Sequence, residues 1–518
     1  MSATEDLAIA DRAAAPPAAK GAGLTLAVVL LAVFVVPSSI SGTAVALPAM
    51  GAELDSGAAG LQWVVNAFNL AFACCTLAWG SIADLIGRGK AFAIGAGLYL
   101  LASVASAVGT NIYLIDAARA LAGIGGAAIF ASGGAIISTV FTGAARARAF
   151  GLFGTVAGVG VALGPSLSGA IVDTLGWRWI FGVHVLALTL ALLGSPAVFR
   201  AVGDQRRAGR VDTVGTALFI LAMLSLMTGI VQGGEWGFAS PAVLGFFTGF
   251  LVLLGAFVVV QQRVAQPMLD LSVLRDRRFV GLCLVTVVAS FGFVTMLTYL
   301  PSYLTTVGGR STATAGVLMV LLTLGVLVCP LLAGKLVAKG VPPRTVIYVS
   351  LACLVVGDAT ALVFGPSFSV AVVAVPLLLI GAGMGLSAGL VDGQALDAVP
   401  AEKAGMAAGL LNTVRLGSEA IAVAVYGALL AGLLRGALAD GLAAHTAADP
   451  ARVAGDLATG NLTAAAQGGG AELTGFLVSS YDGAFHTILM VLTGVCLVLS
   501  LVVVILLRTP AKQLTPAR

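Results

Sequence analysis

Charged residues are scarce in this sequence: Asp, Glu, Lys and Arg together make up 10% of its 518 residues. Soluble globular domains carry about 25% charged residues, so the composition excludes an ordinary soluble protein. Hydrophobic residues account for 59% of the chain, and the mean hydropathy is +1.06. We therefore predict an all-α polytopic membrane protein, because helices of about 20 apolar residues span a bilayer without exposing backbone polar groups.

Cysteine and histidine are also rare, with six and three residues. The six cysteines all lie in apolar stretches and lack the spacing of metal ligands, which predicts small buried side chains and no metal site. The G-x-x-x-x-G-K-[ST] loop of ATP-binding proteins is missing from the sequence. We predict no bound cofactor and no nucleic-acid partner, and any energy source must be an ion gradient.

Long apolar runs dominate the chain, and we identify fourteen of them. They span 24–47, 61–83, 91–109, 112–136, 149–171, 179–198, 214–231, 241–261, 279–300, 314–334, 344–364, 369–392, 405–434 and 484–507. An even number places both termini on one side of the membrane. That side holds 21 of the 27 Lys and Arg residues, so the positive-inside rule predicts cytoplasmic termini. We expect residues 1–23 to be a disordered cytoplasmic tail and 509–518 a second tail.

An internal repeat divides the chain. Gly151-Leu-Phe-Gly-Thr-Val recurs as Gly409-Leu-Leu-Asn-Thr-Val. The repeat predicts two six-helix bundles, at 24–198 and 279–508, with an inserted helix pair and its flanking loops at 199–278. Parallel repeats of this kind hold substrate between them, near the middle of the bilayer. Residues 436–480 are rich in Ala, Gly, Asp and Thr, and we expect them to form a flexible external loop.

A short charged turn joins segments 2 and 3: Gly80-Ser-Ile-Ala-Asp84-Leu-Ile-Gly87-Arg88. Gly80 and Gly87 permit close helix approach and a tight turn. Asp84 lies at a helix C-terminus, where the helix dipole disfavours an acid unless a hydrogen-bond donor or a cation such as Arg88 compensates its charge. A topogenic loop with an incidental acid is the alternative. The turn resembles the signature loop of the major facilitator superfamily, which implies the major facilitator fold and a gate role for these four residues.

Segment 4 carries a charge in mid-span, where a charge costs roughly 3 kcal/mol or more. Arg119 has Asp116 three residues before it, on the same face of the helix, and the acid can partly neutralise the cation. The stretch resembles the facilitator helix-4 motif R-x-x-Q-G-x-G, which implies a role in proton transfer. Ala122 replaces the usual Gln, and a purely structural Arg119 is the alternative.

Segment 13 contains a polar stripe at spacings of 3, 4 and 7, formed by Asn412, Arg415, Glu419 and Tyr426. Arg415 and Glu419 are four residues apart, so we expect them to pair. Glu419 is then a candidate for a carboxylate that is protonated in one conformation and paired in another. A permanent structural ion pair is an equal alternative. We expect Asp358 on segment 11 to be structural or lipid-shielded, and Asp392 to be interfacial.

Segment 5 has glycines at small-xxx-small spacing around a proline, which allows close helix packing. The residues are Gly154, Gly158, Gly160, Gly164, Pro165 and Gly169. Packing alone explains the glycines. However, the core of the stretch resembles the antiporter motif that marks exporters within the superfamily, so the resemblance implies export.

Residues 24–435 and segment 14 resemble the fourteen-helix drug:proton antiporter family. The resemblance implies a monomeric transporter in the inner cell membrane, surrounded by lipid, that exports an amphipathic drug or natural product in exchange for protons. One departure concerns segment 1, where Ser39 stands at the position of a proton-binding Asp in many relatives. This substitution leaves the coupling ion open.

Polar and aromatic side chains in segments 2, 9 and 13 are candidates for substrate contact. They are Asn66, Asn69, Phe72, Tyr299 and Asn412. Interhelical hydrogen bonding explains the segment 2 stripe equally well. An importer with the same fold is the alternative function. A membrane enzyme or receptor is a third, and the sequence offers no paired catalytic residues in its favour.

Overall fold

The computed structural model describes residues 21–54, 56, 58–203, 211–310, 312–366, 369–442, 449–458, 462–467 and 470–508. In these ranges fourteen helices are long and apolar enough to span a membrane, as predicted, and there is no β-strand. The predicted tails 1–20 and 509–518 lie outside the described residues.

The membrane helices follow one another along the chain with short connections. They are α1 (Ala22–Leu54), α2 (Ala58–Ile86), α3 (Arg88–Val108), α4 (Ile112–Val140), α5 (Gly143–Leu175), α6 (Arg178–Val202), α7 (Thr213–Trp236), α8 (Pro241–Arg263), α9 (Arg277–Thr306), α10 (Thr312–Ala338), α11 (Pro343–Thr360), α12 (Val370–Ser387, continued by Leu390–Asp397), α13 (Ala404–Gly441) and α14 (Ala471–Arg508). Short 3₁₀ helices at Leu271–Arg275, Ala361–Val363 and Ala401–Lys403 join some of them.

The helices pack as two bundles with a pair beside them. In the first bundle α1 packs on α5, α2 on α4 and α3 on α6; in the second, α10 and α11 pack on α12, and α9 and α11 on α14. Helices α7 and α8 pack on each other, and α7 also contacts α2 and α13. Both bundles therefore border the inserted pair, and this is the fourteen-helix arrangement that the sequence predicts.

The prediction of a flexible loop at 436–480 is wrong for the described residues, which are mostly helical. Helix α13 continues to Gly441 and α14 begins at Ala471, and each has 38 residues. At 1.5 Å per residue each is about 57 Å long, which exceeds the bilayer core of about 30 Å. Both helices therefore project beyond the membrane.

Two short helices, Pro450–Ala458 and Leu462–Ala465, lie between these projections. Val453 and Leu457 are buried, and the first of the two short helices contacts α13. Alanine, which led us to expect a loop, is the strongest helix former. Tertiary burial of the apolar face then stabilises helices that would be too short to form alone.

One end of the assembly holds the start of α1 and the end of α14, and we call it the terminal end. The two bundles touch there through backbone, at glycines. A Cβ on Gly80 of α2 would lie 2.2 Å from the Gly405 carbonyl oxygen of α13. Farther along, midway through the membrane helices, a Cβ on Gly158 of α5 would lie 2.8 Å from the Val326 carbonyl oxygen of α10. Because these distances leave no room for a methyl group, glycine is required for the two bundles to meet.

The Gly158→Ala variant is predicted to push α5 away from α10, because the new methyl group meets a backbone atom that cannot rotate aside. Overpacking of this kind costs about 1–3 kcal/mol. Spin labels attached through Ala144→Cys and Lys339→Cys, both exposed positions at the terminal end, will report a longer and broader distance by double electron–electron resonance. Gly169→Ala is the matched control on the same helix, since its Cβ would have 3.8 Å of clearance to Val45. Equal distances in the two variants would contradict the prediction.

Candidate functional site

A central cavity of about 190 Å³ lies between the two bundles. Helices α1, α2, α4 and α5 form one wall, and α9, α10, α12 and α13 form the other. Phe72, Phe130, Phe153 and Phe293 contribute aromatic surface to it. A few polar groups in a largely apolar, concave lining are typical of sites for organic ligands. The volume is also sufficient for several water molecules.

An ion pair crosses part of this cavity. Arg415 of α13 donates to both carboxylate oxygens of Asp392, at 2.9 and 3.0 Å, and its second terminal nitrogen donates to Asn412 Oδ1 at 2.8 Å. Asp392 follows the break in α12, where Gly389 has a φ of +74°. The expectations that Arg415 pairs with Glu419 and that Asp392 is interfacial were therefore wrong. The break in α12 turns Asp392 toward the cavity, and that carboxylate takes the cation.

Glu419 lies one helical turn beyond Arg415 and lines the same cavity. Within the described part of the chain, its carboxylate makes no hydrogen bond and no ion pair. Asp392 already neutralises Arg415, so the net charge of the three groups is −1 when Glu419 is ionised and zero when Glu419 is protonated. Of the predicted stripe, Asn412, Arg415 and Glu419 line the cavity, whereas Tyr426 does not.

The candidate substrate contacts divide into two groups. Phe72 and Asn412 line the cavity. Asn66 is half-buried and Asn69 is exposed, and neither lines the cavity in this conformation. Tyr299 faces away from it: its ring stacks on Tyr426 with centroids 4.0 Å apart, and its hydroxyl donates to the Val423 carbonyl oxygen at 2.9 Å.

Arg119 is fully buried in the first bundle and does not line the cavity in this conformation. Its Nε donates to the Val64 carbonyl oxygen at 3.1 Å, and its Nη1 donates to Ser39 Oγ at 2.9 Å. The guanidinium also lies 4.4 Å from the ring centre of Phe68 and 5.8 Å from that of Phe181. Dipoles and aromatic faces therefore stabilise this cation in place of an acid.

The expected neutralisation of Arg119 by Asp116 was wrong, since no ion pair joins them among the described residues. Asp116 is half-buried, and its Oδ1 is buried without a hydrogen-bond partner. Ser39, at the position where we expected an Asp in relatives, instead contacts Arg119 directly. An Asp at position 39 would therefore lie directly beside Arg119.

The charged turn of segments 2 and 3 joins the bundles at the terminal end. Asp84 accepts hydrogen bonds from the backbone amides of Gly405, at 3.0 Å, and Met406, at 2.9 Å, which lie in the first turn of α13. Helix N-termini bind anions through such unpaired amides. Arg88 lies 3.5 Å from Asp84 and donates to Thr139 and to the Ala135 carbonyl oxygen of α4. Gly87, with a φ of +99°, forms the turn itself.

Asp84 thus joins the first bundle to the second, and we call this contact the latch. Residues 29–423 match the Major Facilitator Superfamily. The chain belongs to this superfamily. It is 33% identical to "Multidrug resistance protein Stp" of Mycobacterium tuberculosis over 402 residues, which covers 76% of this chain and 73% of that protein.

Two further relatives of this facilitator come from Streptomyces and Mycolicibacterium. It is 31% identical to "Puromycin resistance protein pur8" of Streptomyces alboniger, covering 80% of this chain and 83% of that protein. It is 28% identical to "Multidrug efflux pump LfrA" of Mycolicibacterium smegmatis, covering 85% and 89%. The crystal structure of the human organic anion transporter MFSD10 (TETRAN) superposes with a TM-score of 0.57 at 14% identity, covering 94% of this chain and all of that one. That likeness concerns the fold alone.

The antiporter-motif glycines of this facilitator face two different helices. Gly154 and Gly158 border the cavity and contact the second bundle at Ala388 and Val326. Gly160 and Gly164 instead pack on α1, where a Cβ on Gly164 would lie 3.0 Å from the Ser38 carbonyl oxygen. Helix α5 continues through Pro165, and Gly169 has ordinary clearance. The first two glycines therefore serve contact between bundles, and the next two serve packing within one.

Sequence reasoning missed the linker from α8 to α9, which fastens the inserted pair to the terminal end. Asp212 accepts from Gln261 Nε2 at 2.6 Å and caps α7. Asp270 pairs with Lys403, just before α13. Although burial raises the pKa of Asp270, hydrogen bonds from Lys403 and Ser272 outweigh it and lower that pKa to about 2. The linker therefore stays anchored at any physiological pH. Asp270 and Lys403 are far apart in sequence, so a motif of neighbouring residues could not predict their contact.

Asp84→Asn is predicted to loosen the terminal end, because the amide offers one acceptor oxygen and no charge to the two amides of α13. Hydrogen bonds to a charged group contribute about 1.5–3 kcal/mol each. The spin-label pair at Ala144 and Lys339 should therefore show a larger population at long distance. Asp276→Asn is the matched control: Asp276 also accepts from two backbone amides, of Arg278 and Phe279, but within a single bundle. A shift of equal size in the control would refute a specific latch.

Ser39→Asp is predicted to stabilise the folded protein by giving Arg119 a charged partner at hydrogen-bond distance. Removing one partner of a buried pair costs about 3–5 kcal/mol, and supplying one should recover part of that cost. Thermal unfolding in detergent should show a higher Tm for Ser39→Asp and a lower one for Ser39→Ala. Ser38→Asp is the control, since Ser38 is also buried but donates to the Val35 carbonyl oxygen. Equal destabilisation by both Asp variants would disprove this account of Arg119.

Proposed function

We propose that this facilitator exports amphipathic organic compounds across the cell membrane in exchange for protons. The single observation that carries the proposal is Glu419, an unpaired carboxylate in the central cavity beside an ion pair that is already neutral. The names of its relatives, which denote multidrug and puromycin resistance, support the same class of substrate. The four phenylalanines of the cavity offer the apolar surface that such substrates require.

The exchange follows from the charge of the cavity. An ionised Glu419 leaves the cavity with a net charge of −1, in a surrounding where unbalanced charge is costly. A proton removes that charge, and so does the positively charged part of an amphipathic substrate. Because either one satisfies the carboxylate, the two compete, and competition for one site on alternate sides of the membrane is sufficient for antiport.

The distribution of Lys and Arg supports a cytoplasmic terminal end. The present conformation, in which Asp84 holds α13 and Arg146 pairs with Asp397 across the bundles, is then closed toward the cytoplasm. Substrate enters from the cytoplasm once these contacts open. We further propose that a monomer in lipid suffices, without cofactor or catalytic chemistry, and that the proton gradient is the energy source. The role of Arg119 in proton transfer stays a prediction, since Arg119 does not reach the cavity here.

Glu419→Gln is predicted to abolish uphill export, because the amide can neither bind nor release a proton. The measurement is the efflux of ethidium and of radiolabelled puromycin from energised cells, with and without a protonophore. Wild-type export should stop when the protonophore is added. Glu402→Gln, which changes an exposed acid at the terminal end, is the control and should export normally. Protonophore-resistant export by the wild type would exclude proton antiport, and accumulation instead of efflux would indicate an importer.

A further inference from the structure

Asp358 of α11 lies inside the second bundle, away from the cavity-lining residues. Its side chain is 1% exposed, and both carboxylate oxygens are buried without a hydrogen-bond partner in the described residues. The Cys496 thiol of α14 faces the carboxyl, and its sulfur also lies 3.7 Å from the Val288 carbonyl oxygen. The sequence led us to expect a structural or lipid-shielded acid. A structural acid should have strong partners, whereas the polar group that faces this one is a thiol, a weak donor.

Helix α9 changes its hydrogen-bonding pattern where it passes Asp358. Residues Ser290–Val294 form a π-turn, a feature that occurs frequently at functional sites. Gly292, inside the turn, faces the carboxyl so closely that a Cβ there would lie 2.9 Å from Asp358 Oδ2. On the opposite side of the same turn, Ser290 and Phe293 line the central cavity. A single irregular turn of helix therefore separates Asp358 from the cavity.

The charge state of Asp358 follows from its surroundings. An ionised carboxylate without partners costs several kcal/mol in a protein interior, whereas a neutral acid costs much less. The groups that face it offer no compensating cation: they are Gly292 of α9, Leu354 of its own helix and Cys496 of α14, with Ile380 of α12 packed against the adjoining Gly357. In this conformation the carboxyl therefore carries a proton.

We propose that Asp358 is a second proton-binding site, placed behind the π-turn of α9 and separate from Glu419. The proton comes from water and returns to water when rearrangement of the bundles opens the turn. An irregular turn is suited to this role, because its backbone bonds are not those of a regular α-helix and can change register. The inference rests on the proposed antiport for its transport consequence, and it extends the exchange from one site to two.

Infrared spectroscopy of the purified full-length protein tests the protonation directly. A protonated carboxyl without hydrogen bonds gives a carbonyl stretching band separate from the amide bands. At pH 7 this band should be present in the wild type and in Ser500→Ala, a control that changes another buried polar group of α14, and it should be lost in Asp358→Asn. Gly292→Ala keeps the acid but crowds it, so the band should shift in position and persist. Undiminished absorption in Asp358→Asn would overturn the proposal.

Stoichiometry in proteoliposomes tests the consequence for transport. The probe is ethidium, and the measured quantity is the pH gradient that just balances a fixed ethidium gradient. Asp358→Asn should exchange one proton fewer per ethidium than the wild type, and Ser500→Ala should match the wild type. An unchanged count in Asp358→Asn would rule out a transported proton at this site. If the wild type ignores the pH gradient, the antiport proposal fails, while the infrared band still decides whether Asp358 binds a proton.

Discussion

Backbone contact between the two bundles is the constraint on which the closed terminal end depends. The Asp84 carboxylate reaches the amides of Gly405 and Met406 because α2 and α13 touch, and they touch because Gly80 and Gly405 have no side chains. A methyl group at either glycine would occupy the space of the opposing carbonyl oxygen. Asp84 and the facing glycines of α2 and α13 therefore act together at this contact.

The features that the sequence predicted well depend on residues that are neighbours along the chain. Hydropathy alone located fourteen spans. In the charged turn, Gly87 and Arg88 predicted a tight turn with a cation beside Asp84. The partner of Arg415 could not be read in this way, because Asp392 stands on another helix and points at the cavity only through the break at Gly389. The same limit explains the error at 436–480, where composition alone does not distinguish a loop from helices held by burial of residues such as Leu457.

The two bundles solve the problem of buried charge in different ways. Arg119 is surrounded by a carbonyl, a hydroxyl and aromatic faces, which stabilise a cation without removing it. A guanidinium does not lose its proton in proteins, so Arg119 can act only through its fixed charge. Glu419 faces the cavity and can change its charge. Under the proposed exchange, both proton-binding acids, Glu419 and Asp358, belong to the second bundle.

The strength of the latch at Asp84 sets how much binding free energy substrate and proton must supply to open the terminal end. Opening the terminal end removes two amide hydrogen bonds from this carboxylate, each about 1.5–3 kcal/mol, but leaves Arg88 beside it because both belong to the first bundle. The carboxylate is thus never left alone, and the cost of breaking this one contact stays within a few kcal/mol. Reversing a two-state equilibrium from 1:99 to 99:1 takes about 5.5 kcal/mol of differential binding. A latch of this size holds α2 against α13 and is still within reach of one ligand and one proton.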